Sequence, residues 1–407
     1  MHADVAVVGG GLTGVSAAWH LAERTPGLGI VLLEARRLGN GASGRNGGQV
    51  LHWINGVSTA DPVLARRVYD VTGRGIDLAE RLAAAHAPGA FCRRGCLEVY
   101  TDARRAEQAA ARVERLSAAG MPFRYVERAA LGIAGVHGAV LDPAAGRLNA
   151  LALLEGMRPA LLARGVVLHE HTPVLRIHEG RTIRVVTAGG EVRARALVLA
   201  TNGYTPRLGY FRRRLLPLQS HALAMGPLAP EVWRAIGWED WDGFTDDLDR
   251  IAYAARTPGG RLVFGGGSNA AYTYRFGGAP SFPAQRLDPA VAAMRRTLVT
   301  YFPALAAQPV THRWSGTLGI TLDRVCTMGV RGADRNVYYA LGYSGHGLAL
   351  SLLAGEVLAD LYAGNHEPWR DLPFYQRRLL PMPPEPLRWL GYQTYTRLTG
   401  RSPRRQA

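Results

Sequence analysis

The sequence contains no lysine, so all 48 cationic residues among its 407 are arginine. Cysteine is scarce as well, with three residues: Cys92, Cys96 and Cys326. Three cysteines are too few for a disulfide framework, and Cys92 with Cys96 lacks the second pair that a zinc site would use. We therefore expect reduced thiols, no metal site and a cytoplasmic location.

Long apolar runs are missing too. No apolar stretch reaches the roughly 18 residues of a membrane-spanning helix. The first predicted strand begins so early that we expect no signal peptide. Hydrophobic residues make up 47% of the chain and the mean hydropathy is -0.04, values typical of a soluble globular protein. The length supports two domains with substantial cores.

Acidic residues are outnumbered, because 32 of them against 48 arginines leave a formal net charge of +16. Such a charge concentrates anionic substrates near the protein. Basic clusters occur at Arg212–Arg214 and Arg401–Arg405, and the segment 388–405 could touch a membrane. We expect a solvated tail there instead. Since no nucleic-acid-binding motif is present, we also expect no nucleic-acid partner.

A glycine motif stands near the start of the chain. The apolar run Val5–Val8 predicts a buried strand, and three glycines follow it in G-x-G-x-x-G spacing: Gly9, Gly11 and Gly14. The first glycine permits a tight turn, the second lets the backbone approach a pyrophosphate, and the third lets the next helix pack closely. That helix directs unpaired N–H groups and the positive end of its dipole towards the phosphates.

An acidic residue supports a dinucleotide site. Glu34 follows the predicted strand Ile30–Leu33, about 20 residues after the last glycine, where a carboxylate accepts hydrogen bonds from ribose hydroxyls. An acid at this position disfavours the 2′-phosphate of NADP. The alternative is a glycine-rich turn in another kind of α/β protein.

The remaining pattern predicts an α/β chain with two kinds of sheet. Apolar periodicity predicts helices over 62–85, 102–119, 150–163 and 348–361. Short apolar runs predict strands over 91–100, 166–169, 174–178, 183–187, 195–200 and 337–341. Residues 216–310 are rich in aromatic side chains, and their predicted strands are 216–225, 251–255 and 261–265. We expect these strands to form a separate antiparallel sheet that binds the substrate.

Two more glycine-rich segments, Gly41–Gln49 and Gly342–Gly347, suit a backbone that lies against a flat ligand. Together with the glycine motif, Trp-x-Gly at 314–316 and Thr-x-Asp at 321–323, they resemble the D-amino-acid oxidase superfamily of FAD-dependent oxidoreductases. Within it, the two segments look most like the γ-glutamylputrescine oxidase branch. The resemblance extends over residues 4 to about 361.

The resemblance implies a discontinuous, Rossmann-like FAD-binding domain and a second domain with a mixed or antiparallel sheet that lies over the flavin. The implied FAD-binding segments are 1–85, 142–215 and 318–378. The implied substrate domain consists of 86–141 and 216–317, and residues 379–407 form a basic C-terminal extension.

The resemblance also implies which residues contact FAD. Gly9, Gly11 and Gly14 would contact the pyrophosphate, Glu34 the ribose and Val174 the adenine. Ser43–Gly48 would run beside the isoalloxazine ring. Gly345, His346 and Gly347, at a helix N-terminus, would face its pyrimidine end, where helix N–H groups stabilise negative charge. The other implied contacts are Leu12, Thr13, Ala35, Arg36, Ala42, Arg45, Asn46, Gly47, Gly48, Gln49, Thr201, Asn202 and Gly203.

Three features depart from relatives in the superfamily. Sarcosine-oxidase relatives attach flavin to a cysteine where this chain has Gly316, so we expect noncovalent FAD; Cys326 lies beyond Asp323 and does not replace that cysteine. Glycine-oxidase relatives bind a carboxylate with an arginine where this chain has Leu318, which disfavours simple α-amino acids. Sarcosine-oxidase relatives also activate oxygen with a lysine. Either another cation does this here, or oxygen is not the preferred acceptor.

The resemblance implies oxidation of a small-molecule amine to an imine, which hydrolyses to an aldehyde. This chemistry needs a neutral amine whose α C–H faces the flavin in a shaped pocket. Candidate pocket residues are aromatic or lightly polar, although such residues are more often found in a core: His52, Trp53, His221, Tyr253, Tyr272 and Tyr343. His346 would either contact the flavin or fill its turn.

A distant carboxylate or phosphonate on the substrate would suit the basic charge. Arg256 and Arg313 are the candidates to bind it through a bidentate fork. Two alternatives to an oxygen-dependent amine oxidase stay open. One is an FAD dehydrogenase that acts on an amino or hydroxy acid and passes electrons to a quinone or carrier; the other is a noncatalytic flavin-binding subunit.

Overall fold

The computed structural model describes residues 1–238, 241–278 and 288–400. Their strands form an eight-stranded sheet, a nine-stranded sheet and a small three-stranded sheet, with helices packed against them. The predicted α/β class with a second mixed sheet is confirmed. The basic cluster Arg401–Arg405 lies outside the described residues.

The eight-stranded sheet is built around β1 (His2–Val8), which pairs in parallel with β2 (Ile30–Leu33) and β12 (Gly190–Leu199). Its other strands are β9 Val167–His169, β10 Val174–His178, β11 Ile183–Thr187, β19 Thr327–Arg331 and β20 Val337–Leu341. The path runs β10-β11-β12-β1-β2-β9, and β20 pairs with both β12 and β19. Residues 5–8 of β1 are all buried, which explains their continuous apolar run.

Four helices share a core with this sheet: α1 Leu12–Arg24, α2 Pro62–His86, α4 Ala150–Ala163 and α7 Leu348–Tyr362. A fifth, α3 Ala103–Ala118, packs on the nine-stranded sheet instead. The bounds of α2, α3, α4 and α7 lie within two residues of the predicted ones. Asp61 caps α2, because its Oδ1 accepts from the N–H of Val63 at 2.9 Å. α1 and α7 approach closely: a Cβ on Gly355 would lie 2.2 Å from Ser16 Oγ.

The nine-stranded sheet consists of β5 Cys96–Tyr100, β6 Arg124–Glu127, β7 Gly138–Asp142, β13 Leu216–Met225, β14 Gly243–Asp246, β15 Ala252–Arg256, β16 Leu262–Gly266, β17 Tyr272–Thr273 and β18 Val310–Ile320. Its path is β17-β13-β16-β15-β14-β5-β7-β6, with β18 paired to β13. The pairs are antiparallel except β14 with β5, so the sheet is mixed. α5 (Pro230–Ala235) and α6 (Asp288–Tyr301) contribute to its core. Trp238, Phe244 and Phe264 are fully buried there.

The third sheet corrects one predicted strand. It contains β3 (Gln49–Val50), β4 (Phe91–Cys92) and β8 (Gly146–Leu148). The strand predicted over 91–100 is therefore two strands in different sheets. Gly95 separates them with a φ of 88°, a left-handed conformation that turns the chain from one sheet to the other.

The C-terminal segment corrects the expected solvated tail. Residues Leu387–Thr399 form a helix, α8, that packs on the nine-stranded sheet. Tyr392 donates its hydroxyl to the carbonyl of Tyr272 at 2.9 Å, and the amide of Asn269 donates to the carbonyl of Thr396 at 2.8 Å. Among the described residues, no helix has the length and apolar character needed to span a membrane.

Candidate active site

A cavity of about 670 Å³ lies between the two large sheets. One part is lined by the ends of β1 and β2, the loop 40–49 and the 3₁₀ helix Asn202–Leu208. The other part is lined by residues of 220–272 from the nine-stranded sheet, and residues 316–319 and 343–348 join the two. The cavity therefore connects the glycine motif with the sheet that we expected to bind the substrate.

Each glycine of the motif has a distinct task. Gly9 has a φ of 110°, and a Cβ there would lie 2.6 Å from the carbonyl oxygen of Ala200. A Cβ on Gly14 would lie 1.9 Å from the carbonyl oxygen of Gly9, so these two glycines close the turn. A Cβ on Gly11 would instead meet the side chain of Ser43, at 2.8 Å, beside the cavity. The absence of a side chain at Gly11 thus leaves space in the cavity for a ligand to approach the backbone.

The N-terminus of α1 has the form of an anion site. Gly11 at the N-cap supplies no side chain to cap the first turn. The N–H of Leu12 donates to Ser43 Oγ at 3.0 Å, which holds the loop 40–49 against this helix end. A phosphate near the first turn would accept N–H hydrogen bonds and lie at the positive end of the helix dipole.

Glu34 is fixed by the backbone around it. Its Oε2 accepts from the N–H of Gly10 at 2.7 Å, and its Oε1 accepts from the N–H of Arg36 at 2.9 Å. The carboxylate lines the cavity where β2 ends. Each oxygen has a further lone pair, so the group can also accept from ribose hydroxyls.

Side-chain amides hold the loop 40–49. Asn46 donates to the carbonyl of Ser43 at 2.6 Å and accepts from the N–H of Gly48 at 2.9 Å. Gln49 donates its amide to the carbonyls of Phe244 and Ala254, at 2.8 and 2.7 Å, and so joins the loop to the nine-stranded sheet. The two parts of the cavity are connected through this loop.

The turn before α7 closes the opposite wall. The hydroxyls of Tyr343 and Thr13 lie 2.7 Å apart, and Asn202 Oδ1 accepts from the N–H of Gly342 at 3.0 Å. Burial raises the pKa of Tyr343 well above its ordinary value. Gly347 leaves the N-terminus of α7 without a side-chain cap. A second helix N-terminus therefore borders the cavity, beside His346.

The lining residues fit FAD. An open glycine, two uncapped helix ends and a backbone-held carboxylate occur along one cavity, which suits a pyrophosphate, a ribose and an extended ring system. Of the expected cofactor contacts, Gly14 is not in the lining, because it packs against the turn. The others line it: Gly9, Gly11, Leu12, Thr13, Glu34, Ala35, Arg36, Ala42, Ser43, Arg45, Asn46, Gly47, Gly48, Gln49, Val174, Thr201, Asn202, Gly203, Gly345, His346 and Gly347.

Four of the expected pocket residues line the cavity: Tyr253, Tyr272, Tyr343 and His346. Tyr253 lies between two glycines, since a Cβ on Gly47 would be 2.6 Å and one on Gly265 2.2 Å from its ring. Burial raises the pKa of Tyr253 to about 12, so its hydroxyl is neutral at physiological pH.

Two histidines and a tryptophan lie elsewhere. His52 is buried beside α2, with its Nδ1 2.6 Å from Asp142 Oδ2 and its ring stacked on Tyr69 at 4.0 Å. Trp53 stacks on Phe123 at 5.7 Å. The expectation of pocket positions for these two side chains is wrong, because both pack in the cluster around α3.

His221 is also outside the lining, although its neighbour Ser220 is part of it. Successive residues of a strand point to opposite faces, so only one of the two can face the cavity. The Nε2 of His221 lies 3.3 Å from Thr273 Oγ1, and burial lowers its pKa.

The two arginines expected to bind an anion do not line the cavity. Arg256 places its guanidinium over the ring of Trp233, 4.5 Å from the ring centroid. Arg313 is exposed and ion-paired with Asp288. Each guanidinium already has a partner outside the cavity, so neither is placed to clamp a substrate there.

Several lining residues were not singled out from the sequence. The 3₁₀ helix contributes Tyr204 and Arg207, which no motif marked. Ser220 and Thr245 are recognisable only once the sheet register is known. The described lining residues between positions 216 and 320 are all uncharged: Ser220, Thr245, Ile251, Tyr253, Tyr272, Gly316, Thr317, Leu318 and Gly319.

Comparisons with known proteins agree with this site. The chain matches the profile of a family described as FAD dependent oxidoreductase (DAO) over residues 4–361. It is 30% identical to gamma-glutamylputrescine oxidoreductase of Escherichia coli (strain K12) over 394 residues, or 91% of this chain and 87% of that protein. It is 27% identical to the probable oxidoreductase OrdL of Haemophilus influenzae over 384 residues, or 90% of this chain and 84% of that protein.

A solved structure shows the same fold. The glycine oxidase from Geobacillus kaustophilus is similar with a TM-score of 0.77 at 22% identity, covering 93% of this chain and 99% of that one. The family profile covers most of the chain, and the residues expected to contact FAD gather along one cavity. This chain therefore belongs to the DAO family of FAD-dependent oxidoreductases.

Proposed function

We propose that this protein oxidises a primary or secondary amine to an imine, which hydrolyses to an aldehyde, and that oxygen is the electron acceptor. The observation that carries the proposal is the single cavity that joins the glycine motif to an uncharged wall of the nine-stranded sheet. The similarity to gamma-glutamylputrescine oxidoreductase supports an amine as substrate.

The eight-stranded sheet and its helices would hold FAD, and the nine-stranded sheet would hold the amine. When bound, FAD supplies a two-electron acceptor for the α C–H bond of the substrate. The N–H groups of α1 would bind the pyrophosphate, and Glu34 the ribose. We propose noncovalent binding, because Gly316 offers no thiol to the cavity and Cys326 is buried outside its lining.

The uncharged wall, formed by the described lining residues between positions 216 and 320, determines the protonation state of the bound amine. A hydride equivalent leaves a neutral amine more readily than an ammonium ion, whose nitrogen lone pair is protonated. None of the described lining residues between positions 216 and 320 is charged, so no carboxylate there pairs with an ammonium group. The amine would lose its proton to solvent water as it enters, and the hydroxyls of Tyr253, Tyr272 and Ser220 would orient it.

The same wall also limits the charge that the far end of the substrate can carry. A distant carboxylate or phosphonate would need a cation. Arg256 and Arg313 have partners elsewhere, and the arginines that do line the cavity, Arg36, Arg45 and Arg207, lie outside the uncharged stretch, in the part that we propose to hold FAD. We therefore propose that the far end is polar and uncharged where it meets the nine-stranded sheet. A buried anion without a partner would bind poorly.

The test is an anaerobic screen of the FAD-loaded protein followed by admission of oxygen. N-acetylputrescine and γ-glutamylputrescine share one amine and differ at the far end, and glycine represents the simple α-amino acids. We expect flavin absorbance to bleach with both amines, faster with N-acetylputrescine, and hydrogen peroxide to form when oxygen enters.

Other outcomes separate the alternatives. Bleaching without peroxide would indicate a dehydrogenase with another acceptor, and no bleaching with any amine or amino acid would indicate a flavin-binding subunit. Faster bleaching with γ-glutamylputrescine would overturn the uncharged far end while leaving amine oxidation intact.

A further inference from the structure

Three leucines of α8 point away from the protein. Leu387, Leu390 and Leu398 are 58%, 48% and 80% exposed, and their spacing of i, i+3 and i+11 places them on one side of the helix. We call these three side chains the leucine face. Phe276, which contacts the ring of Trp389 at 6.3 Å, is 61% exposed beside them. Exposed apolar side chains gathered in one place mark an interaction surface.

The opposite side of α8 is anchored. Besides the hydrogen bonds of Tyr392 and Thr396, the hydroxyl of Tyr395 donates to Asp249 Oδ2 at 2.5 Å. Arg388 donates to Glu385 Oε1 at 3.0 Å. The leucine face is therefore held outward by a fixed helix.

Arginine is in excess in the C-terminal segment. Residues 386–407 contain five arginines and neither aspartate nor glutamate, and the ion pair of Arg388 with Glu385 leaves four arginines beyond that pair. Arg397 lies on the helix and is exposed, and Arg401, Arg404 and Arg405 follow it in the sequence. Exposed leucines on a helix that carries Arg397, with Trp389 and Tyr395 beside them and three more arginines following in the sequence, suit the interface of an anionic bilayer.

We propose that the leucine face of α8 binds the surface of anionic lipid membranes. A second copy of this chain is a poorer occupant, because a two-fold contact would bring together two segments that each carry an excess of arginine. An anionic lipid surface complements the same charge and accepts the leucines among its acyl chains. The helix would lie flat, since α8 is 13 residues long and too short to span a bilayer.

Membrane binding would also bring the cavity near the lipid. The hydroxyl of Tyr392 in α8 donates to the backbone carbonyl of Tyr272, a residue that lines the cavity. One helix thus contacts the wall of the cavity on one side and would contact lipid on the other. This inference does not depend on which substrate is oxidised.

The test is co-sedimentation of the full-length, FAD-loaded protein with vesicles, either of pure phosphatidylcholine or with phosphatidylglycerol added. We expect the protein to bind the anionic vesicles, and added salt to weaken this binding without abolishing it. Binding should also shift the tryptophan emission to the blue, and Trp389→Phe should remove that shift. The combined variant Leu387→Ser/Leu390→Ser/Leu398→Ser should lower the vesicle partition coefficient about tenfold or more.

The matched control replaces three apolar side chains of similar exposure elsewhere. Val63, Leu162 and Leu175 are 62%, 51% and 57% exposed, and their combined change to serine should leave vesicle binding unaltered. Leu398→Glu supplies a single-site version should the triple variant lose its flavin or its fold. Equal binding by wild type and the leucine variants would overturn the proposal, as would a dimer that these variants convert to monomer.

Discussion

The hydroxyls of Thr13 and Tyr343 lie 2.7 Å apart although 330 residues separate them in the chain. Thr13 is in the first turn of α1, and Tyr343 is in the turn that leads into α7. Both residues line the cavity. One buried hydrogen bond therefore joins the two helix N-termini that we propose to surround FAD.

Tyr343→Phe tests this link. The change leaves the buried hydroxyl of Thr13 without its partner, which should lower the free energy of unfolding by about 1–2 kcal/mol. It should also raise the dissociation constant of FAD severalfold. Denaturant unfolding and FAD titration measure the two effects. In a double-mutant cycle, adding Thr13→Val to Tyr343→Phe should cause little further loss; full additivity would show that the two hydroxyls act independently.

Unlike much of the pocket, the glycine motif could be predicted from the sequence, because residues close in the chain determine its conformation. The spacing of Gly9, Gly11 and Gly14 specifies a turn and a helix start, and neighbouring residues determine both. The helices were predicted for the same reason, since a 3.6-residue period shows the buried face directly.

The direction of pocket side chains could not be predicted. β13 is paired on both sides in the nine-stranded sheet, and most of its residues are at least partly buried, so its sequence does not show which side faces the cavity. Ser220 lines the cavity and His221 does not. The position of Arg256 depends on Trp233, which is 23 residues away and lies in α5. Such partners become visible only when the chain is folded.

Gly11→Val and Gly14→Ala should fail in different ways. The new side chain at position 11 meets Ser43, which can rotate, and fills space beside the proposed pyrophosphate site. We expect a folded protein that does not retain FAD. At position 14 a Cβ would lie 1.9 Å from a backbone oxygen, so we expect a loss of about 3 kcal/mol of stability. Circular dichroism and flavin absorbance distinguish the two; a folded, yellow Gly11→Val protein would place FAD elsewhere.

Denaturation should release the flavin. Gly316 lines the cavity without a thiol, and burial raises the pKa of Cys326 to about 12, so this cysteine remains an unreactive thiol. We expect all yellow colour to pass into the filtrate after heat or acid treatment and ultrafiltration. Flavin that stays with the precipitated chain would contradict noncovalent binding.

His20 should make the protein less stable in mild acid. Its Nδ1 donates to the carbonyl of Ser16 at 2.8 Å, and burial lowers its pKa below the ordinary 6.5. As the pH falls below 6.5, the imidazole of His20 becomes protonated in the unfolded chain and stays neutral in the folded one. The free energy of unfolding therefore declines until the pH reaches the lowered pKa. His20→Asn keeps a donor for Ser16 and should reduce the slope between pH 7 and 5, while His86 and His221, whose pKa values burial also lowers, should keep part of it. Denaturant unfolding at several pH values measures the slope, and a slope in His20→Asn equal to that of the wild type would contradict the prediction.

Gly265→Ala should disturb the substrate wall while leaving the flavin in place. A Cβ at this position would lie 2.2 Å from the ring of Tyr253, and Gly47 closes the other side of that ring, so the ring must move into the cavity. We expect kcat/KM for the amine to fall by a factor of about 10 to 100, or roughly 1.4–2.7 kcal/mol of transition-state binding. Steady-state kinetics measures the loss, and FAD occupancy shows that the cofactor site is intact.

Two further variants decide whether the displaced ring is the cause of that loss. Tyr253→Ala removes the ring, so adding Gly265→Ala to it should change kcat/KM little further. Gly259→Ala is the matched control, because its Cβ would meet only Arg261 Nη1, at an ordinary 3.8 Å. If Gly265→Ala lowers activity to the same extent with and without Tyr253, the substitution acts through β16 itself and Tyr253 does not shape the substrate wall.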